Sequence, residues 1–119
     1  MNAKNPMFPS IAIGTLNIHF CSVLDEEYTE SHVGFKEVLA RAAQRNCLSR
    51  ADGERMLAEQ EKIPAELRRF RILFAGKVER CGGWESWAML RFDKDYNWRM
   101  DDKIIQDSYN VVYVFAYIE

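Results

Sequence analysis

The C-terminal segment Asn110–Ile118 constrains the fold more than any other part of the chain. Read as a strand, it carries apolar side chains on both faces: Val111, Tyr113, Phe115 and Tyr117 on one, and Val112, Val114, Ala116 and Ile118 on the other. A strand that is apolar on both faces is typical of the interior of a sheet. The segment therefore predicts a central strand, and the rest of the chain must supply its neighbours.

The beginning of the chain predicts one strand after an extended leader. Residues 1–10 contain two prolines and are expected to be extended and partly mobile, ahead of a single domain over residues 11–119. Within that domain Leu16, Ile18 and Phe20 alternate with polar residues. This two-residue period is typical of a half-buried strand.

The middle third of the chain is predicted to be helical. From Asp25, a candidate N-cap, the apolar residues follow a helical period that predicts a first helix ending near Asn46. A capping-box pattern that begins at Ser49 predicts a second helix to about Lys62. Pro64 suits the first turn of a third, short helical segment.

Residues 70–80 fit either a helix or an alternating strand. Gly76 and the turn pair Gly82-Gly83 favour a strand that ends in a hairpin. Residues 87–92 are the predicted partner strand, followed by a tight polar loop and a third strand from Trp98. The order of strand, helices and a run of antiparallel strands predicts the α+β class.

Composition predicts a small cytoplasmic protein. The 119 residues are 48% hydrophobic and 29% charged, which is ordinary for one globular domain. Three well-separated cysteines are typical of reduced thiols in a cytosolic protein. The N-terminal apolar run is too short and too polar for a signal peptide or a membrane span. The net charge of −2 argues mildly against non-specific binding of nucleic acid.

The sequence contains little that predicts catalysis or a cofactor. No cysteine and histidine spacing matches a zinc site, and no glycine-rich loop matches a phosphate-binding motif. We therefore expect no metal and no cofactor. One enzymatic hypothesis stays open, in which Cys81 is a nucleophile activated by His19 or His32. A partly buried cysteine at a strand end is the simpler interpretation.

Aromatic residues near the two hairpin turns predict a surface that binds another protein. Tryptophan and tyrosine dominate the energetic centres of protein interfaces, and a domain this small cannot easily bury all of its aromatic side chains. We predict a partner-binding surface at Trp84, Trp87 and Trp98, flanked by Asp93 and Asp95. The acidic neighbours would steer this surface toward a basic partner.

Three classes of function remain after these arguments. The leading hypothesis is a non-enzymatic inhibitor or regulator of a larger protein, of the kind that phages and plasmids use against host defences. The second is a regulator that binds nucleic acid through Arg68, Arg69 and Arg71, with Trp84 and Trp87 as a stacking platform. The third is the cysteine–histidine enzyme. A homodimer would be compatible with the first two.

Overall fold

Nine strands and two α-helices form the described part of the chain. The structure is a computed structural model that describes residues 8–24 and 31–119. Its strands are β1 (Ile11–Ile13), β2 (Leu16–Ser22), β3 (His32–Gly34), β4 (Asn46–Cys47), β5 (Arg71–Cys81), β6 (Trp84–Phe92), β7 (Trp98–Ile104), β8 (Ser108–Asn110) and β9 (Tyr113–Ile118). Its helices are α1 (Phe35–Ala43) and α2 (Arg50–Ala58), followed by the 3-10 turns Gln60–Lys62 and Ala65–Leu67.

The main sheet has seven strands, and β9 lies inside it. The order is β1-β2-β9-β5-β6-β7, with β4 paired to the far end of β9, while β3 and β8 form a separate two-stranded sheet. Phe115 of β9 lies opposite Cys21 of antiparallel β2 and opposite Leu73 of parallel β5. The predicted run of antiparallel strands is therefore wrong at the β5–β9 pair. After β7 the chain forms β8 and returns between β2 and β5, so β9 runs in the same direction as β5.

Both faces of β9 are buried because each face of the sheet has its own core. Val114 belongs to the core that contains Met56 of α2. Phe115, on the opposite face, belongs to the core that contains Val38 of α1. All four side chains are at most 1% exposed. The two-faced apolar pattern of residues 113–118 is thus explained by a helix on each side of the sheet. The predicted strand is too long at its start, because Val111 and Val112 lie in the turn before β9 and Val111 is 39% exposed.

The helices are shorter than predicted. Residues 32–34 form strand β3, which pairs with β8, so α1 begins at Phe35 and not at Asp25. Asp25 itself, and residues 1–7 of the predicted leader, lie outside the described residues. The carboxylate of Asp52 accepts the backbone N–H of Ser49 at 3.4 Å, as the capping-box pattern predicts. The helix then ends at Ala58, and Gln60–Lys62 is a 3-10 turn.

The ambiguous segment after Phe70 is a strand, as predicted. Strand β5 pairs with β6 in two stretches, and its register shifts between Phe74 and Glu79 because extra residues bulge from β5. Gly76 lies in this bulge, where a Cβ would overlap the backbone carbonyl of Cys47. Only glycine therefore fits where β5 passes β4. Strand β5 pairs with β9 only before the bulge, at Arg71, Ile72 and Leu73.

The coarse prediction of the fold is confirmed. The chain is a compact α+β domain in which strands outweigh helices. No helix in the described ranges has the length and apolarity required to cross a membrane.

Candidate partner-binding surface

The two turns that the sequence singles out lie at opposite ends of β6. Cys81 pairs with Trp84 across the Gly82-Gly83 turn, whereas Phe92 at the other end pairs with Trp98 across the polar loop. The nine residues of β6 span roughly 25 Å at the usual rise per residue. The predicted surface residues therefore do not form one surface. We call the Gly82-Gly83 turn the hairpin end and residues 93–97 the loop end.

At the hairpin end one tryptophan is exposed. Gly82 and Gly83 have φ angles of +59° and +86°, values that favour glycine, so the chain reverses in two residues. Trp84 follows directly, and 55% of its surface is exposed. Val78, on the opposite face of the same hairpin, is 44% exposed. Apolar side chains this exposed are available to a partner.

At the loop end the polar groups are satisfied within the chain. One carboxylate oxygen of Asp93 accepts the backbone N–H groups of Asp95 and Asn97 at 3.0 and 3.1 Å. The other oxygen pairs with the guanidinium of Arg99. The hydrogen bond from Arg99, aided by those two backbone donors, holds the pKa of Asp93 below its usual value. This is the internally bonded turn expected of an Asp-rich hairpin loop.

The other two predicted tryptophans are core residues. Trp87 is 1% exposed and packs against Tyr109 and Phe115 in the core beneath α1. Trp98 is 4% exposed and lies in the core on the other face, with its ring 5.4 Å from that of Phe92. A side chain this buried in the monomer offers almost no apolar contact area to a partner. The expectation of exposed anchors at Trp87 and Trp98 is therefore wrong, and Trp84 is the exposed one.

The hairpin end is held against α2 by a single arginine. We call residues 77–86 the hairpin arm. Arg50, the first residue of α2, donates from Nε to Oε1 of Glu79 at 2.8 Å and pairs through a terminal nitrogen with Asp102 of β7. One guanidinium thus ties the arm to the helix and to the neighbouring strand. These two ion pairs fix the position of the arm relative to α2 and β7.

The outer edge of the arm lacks a partner strand in the described ranges. The last backbone bond on that side of β5 runs from the N–H of Gly76 to the carbonyl of Leu48, at 2.9 Å. The carbonyl of Glu85 accepts the N–H of Ile105 at 3.0 Å, so the polar groups of Glu85 point toward β7. Its cross-strand partner Arg80 must then point its own N–H and C=O outward, away from β6.

The three arginines of the nucleic-acid hypothesis cover aromatic rings near the loop end and the centre of the sheet. The guanidinium carbon of Arg68 lies 4.7 Å from the ring centre of Phe92, and that of Arg69 lies 5.0 Å from Phe70. Arg71 lies 5.8 Å from the ring of Tyr113. The structure does not bring Arg68 together with Trp84, because Phe92 and Trp84 occupy opposite ends of β6. The predicted platform of arginines and tryptophans is therefore not assembled.

The described residues contain no assembled nucleophile or metal cluster. Cys81 makes no hydrogen bond to His19 or His32. No group of three or more metal-ligating side chains occurs in the described ranges. Burial raises the pKa of both Cys21 and Cys47 to about 11, which keeps these thiols protonated and unreactive at neutral pH.

Sequence reasoning missed the open edge and the groove behind it. A groove of about 320 Å³ lies between α1 and the bulged part of β5. Its lining includes Leu39, Ala43, Arg45, Ala75, Val78 and Trp87. The indole N–H of Trp87 is buried and has no hydrogen-bond acceptor in the part of the chain that the structure describes. Gly76 was the available signal, since a glycine inside a strand pattern indicates a bulge or a close backbone approach.

No protein-family model, curated protein or solved structure matches the chain.

Proposed function

We propose that the chain is a non-enzymatic protein-binding module, an inhibitor or regulator of a larger protein, and that it engages this protein through the hairpin arm. The observation that carries the proposal is the exposure of Trp84 at the turn of an arm that Arg50 holds in place. Tryptophan is the side chain most enriched among residues that dominate binding energy. We also propose a cytoplasmic location, because the three cysteines are unpaired.

The exposed part of Trp84 can supply a useful share of a binding energy. Covering half of a tryptophan removes roughly 120 Å² from water, which contributes about 3 kcal/mol. The ring follows a two-residue turn and loses few rotatable bonds on binding, so little entropy opposes the contact. Val78 adds a second apolar contact on the other face of the arm.

The charges beside Trp84 change the expected partner. Asp93 and Asp95, which predicted a basic partner, lie at the other end of β6, and Arg99 offsets the charge of Asp93. The arm itself carries two exposed cations, Lys77 and Arg80, and one exposed carboxylate, Glu85, which lies opposite Arg80. A basic partner surface therefore no longer follows, and the arm is better matched to a partner with acidic groups.

A capture experiment with paired aromatic variants tests the proposal. Tagged wild-type chain, Trp84→Ala and Tyr96→Ala are each exposed to a lysate of the source organism, with and without nuclease. Tyr96 is the matched control because its ring is 81% exposed at the loop end. We expect a protein that wild type and Tyr96→Ala retain and that Trp84→Ala binds about 30-fold more weakly, equivalent to roughly 2 kcal/mol.

Two results would contradict the proposal. If Trp84→Ala retains the partner protein as strongly as wild type does, Trp84 contributes nothing to binding. Loss of capture after nuclease treatment, together with loss in an Arg68→Ala/Arg69→Ala/Arg71→Ala variant, would favour the nucleic-acid hypothesis instead. In that case the exposed arginines would act through phosphate contacts, and capture would fall steeply as salt is raised.

A further inference from the structure

We propose that the outer edge of the hairpin arm and the groove behind it bind an extended, acidic segment of a partner protein as an added β-strand. This inference rests on the proposed function and names the kind of partner segment that the arm receives. Strand addition at an exposed sheet edge is a general mode of peptide recognition, in which backbone bonds give affinity and neighbouring pockets give specificity.

The backbone of the arm offers a template for such a strand. After Gly76 bonds to Leu48, the outer side of β5 has no partner in the described ranges, while its inner side stays paired with β6 through Glu79, Arg80 and Cys81. The N–H and C=O of Arg80 point outward, as the bond between Ile105 and Glu85 requires. An added strand would satisfy these groups.

The groove lies where alternate side chains of an added strand can enter it. Val78 forms part of its lining and is itself on the open edge. Leu39 and Ala43 of α1 form the opposite wall, and Ala75 lies beside them. The volume of about 320 Å³ has room for one or two side chains of moderate size.

Trp87 supplies a polar group that a ligand can satisfy. Trp87 is among the residues that line the groove and is 1% exposed, and its indole N–H has no acceptor among the described residues. Buried donors in native proteins normally have a partner, so an unpaired one points to a missing acceptor. A carbonyl or carboxylate oxygen of a bound segment would provide that acceptor.

The charges around the edge select an acidic segment. Arg45 lines the groove, and Lys77 and Arg80 lie on the exposed edge. None of these three cations forms an ion pair with a described residue, although Arg45 lies 5.1 Å from the ring centre of Tyr117 and Arg80 donates to the carbonyl of Gly83. Of the two carboxylates of the arm, Glu79 is held by Arg50 on the opposite face, and Glu85 is exposed on β6 opposite Arg80. A second copy of this chain fits less well, because antiparallel pairing of the edge about its centre would place Glu79 opposite Glu79.

Binding of a defined peptide to the intact, ¹⁵N-labelled chain tests the inference. The probe is a blocked hexapeptide that alternates glutamate with valine. One control replaces each glutamate with lysine, and another carries N-methylated peptide bonds that cannot pair with a strand. The readouts are the indole N–H resonance of Trp87 and the hydrogen exchange of the Arg80 amide.

We expect the acidic peptide to shift the Trp87 indole resonance and to slow exchange at Arg80. At a peptide concentration of about ten times Kd the slowing should be about ten-fold, because only the unbound fraction exchanges. Both control peptides should leave these signals unchanged. Arg45→Gln should weaken binding about five-fold, and the matched variant Arg69→Gln, near Phe70, should not.

Three outcomes would overturn the inference. They are equal binding of the lysine peptide, equal binding of the N-methylated peptide, and dimerisation of the chain that occupies the edge with a second copy. Trp84→Ala should bind the acidic peptide as wild type does, because Trp84 and Val78 lie on opposite faces of the arm. The two experiments can fail separately. If Trp84→Ala captures the partner protein as wild type does while the acidic peptide still binds, the role of Trp84 is refuted and the strand-binding site is retained.

Discussion

The two ends of β6 carry similar residues and differ in how far the chain satisfies them. Each end is a tight turn with an exposed aromatic ring, Trp84 at one and Tyr96 at the other. At the loop end Asp93 bonds two backbone donors and an arginine, and the ring of Tyr96 leans on Phe92 at 6.4 Å. At the hairpin end the outward backbone groups of β5 have no partner strand in the described ranges, and Lys77 and Arg80 form no ion pair with a described residue, although Arg80 donates to the carbonyl of Gly83 at 3.0 Å.

This difference explains why residue type alone predicted a single surface that joins residues from both ends of β6. Aspartates and tryptophans near a turn look alike in sequence whether they hold the turn together or face a partner. What separates the two ends is the set of polar and apolar groups that internal contacts leave unsatisfied. The loop end is therefore interpreted as structural and the hairpin end as the candidate surface.

The largest expected effect comes from removing β9, the interior strand of the sheet that contains β6. Deletion of residues 112–119 should abolish cooperative folding, because it removes β9 and separates β2 from β5. Val114, Phe115 and Ala116 are at most 1% exposed, and the larger two each contribute roughly 1.5–3 kcal/mol. Thermal melting followed by circular dichroism measures the effect. Deletion of the exposed Glu119 alone is the control, and a cooperative melt of the longer deletion would refute this topology.

The coarse fold was predictable because it depends on local patterns. The two-faced apolar run, the glycine turn and the Ser49 capping box each define an element through nearby residues. The β5–β9 pairing and strand β3 were not predictable, because they depend on contacts between segments that are distant in the chain. The sequence also could not predict that Trp84 is exposed and Trp98 is buried, because both residues directly follow a turn.

The next largest effect separates two tryptophans that the sequence treats alike. Trp98→Ala should destabilise the chain by about 3–5 kcal/mol, because it empties a buried site beside Phe92. Trp84→Ala should change stability by no more than about 0.5 kcal/mol, because its ring is largely exposed. Urea unfolding of both variants measures the difference. Equal destabilisation by the two substitutions would contradict the burial of Trp98 and the exposure of Trp84.

A smaller effect concerns acid and is confined to the loop end. The pKa of Asp93 in the folded chain is below its ordinary value of 3.8, chiefly because Arg99 bonds its carboxylate. The unfolded chain therefore takes up a proton first, so the stabilisation is complete above about pH 5 and is lost as pH falls through and below 3.8. Asp93→Asn should flatten the dependence of Tm on pH between about 5 and 3.

Asp95→Asn provides the matched control for this experiment. The carboxylate of Asp95 is 66% exposed and lies 3.9 Å from Arg99. Screening by solvent makes such a pair weak, so the acid dependence of Tm should remain close to that of wild type. A control that flattens the curve as much as Asp93→Asn would show that general charge, and not the bonded turn, sets the acid response.

The smallest structural perturbation is chemical modification of the cysteines. It compares the reactivity of the thiol in the hairpin arm with that of the thiols in the strands beneath α1. The pKa of Cys21 and of Cys47 rises from 9.0 to about 11 on burial, so the thiolate fraction of each at pH 8 falls about 100-fold relative to the unfolded chain. Iodoacetamide should therefore modify both residues about 100-fold more slowly in the native chain than in urea. Cys81, at the turn of the hairpin arm, should be modified first in the native chain, and mass spectrometry of digested samples identifies the site. Early modification of Cys47 would instead mean that the wall of the groove opens in solution, and the groove would then be no preformed site for a strand.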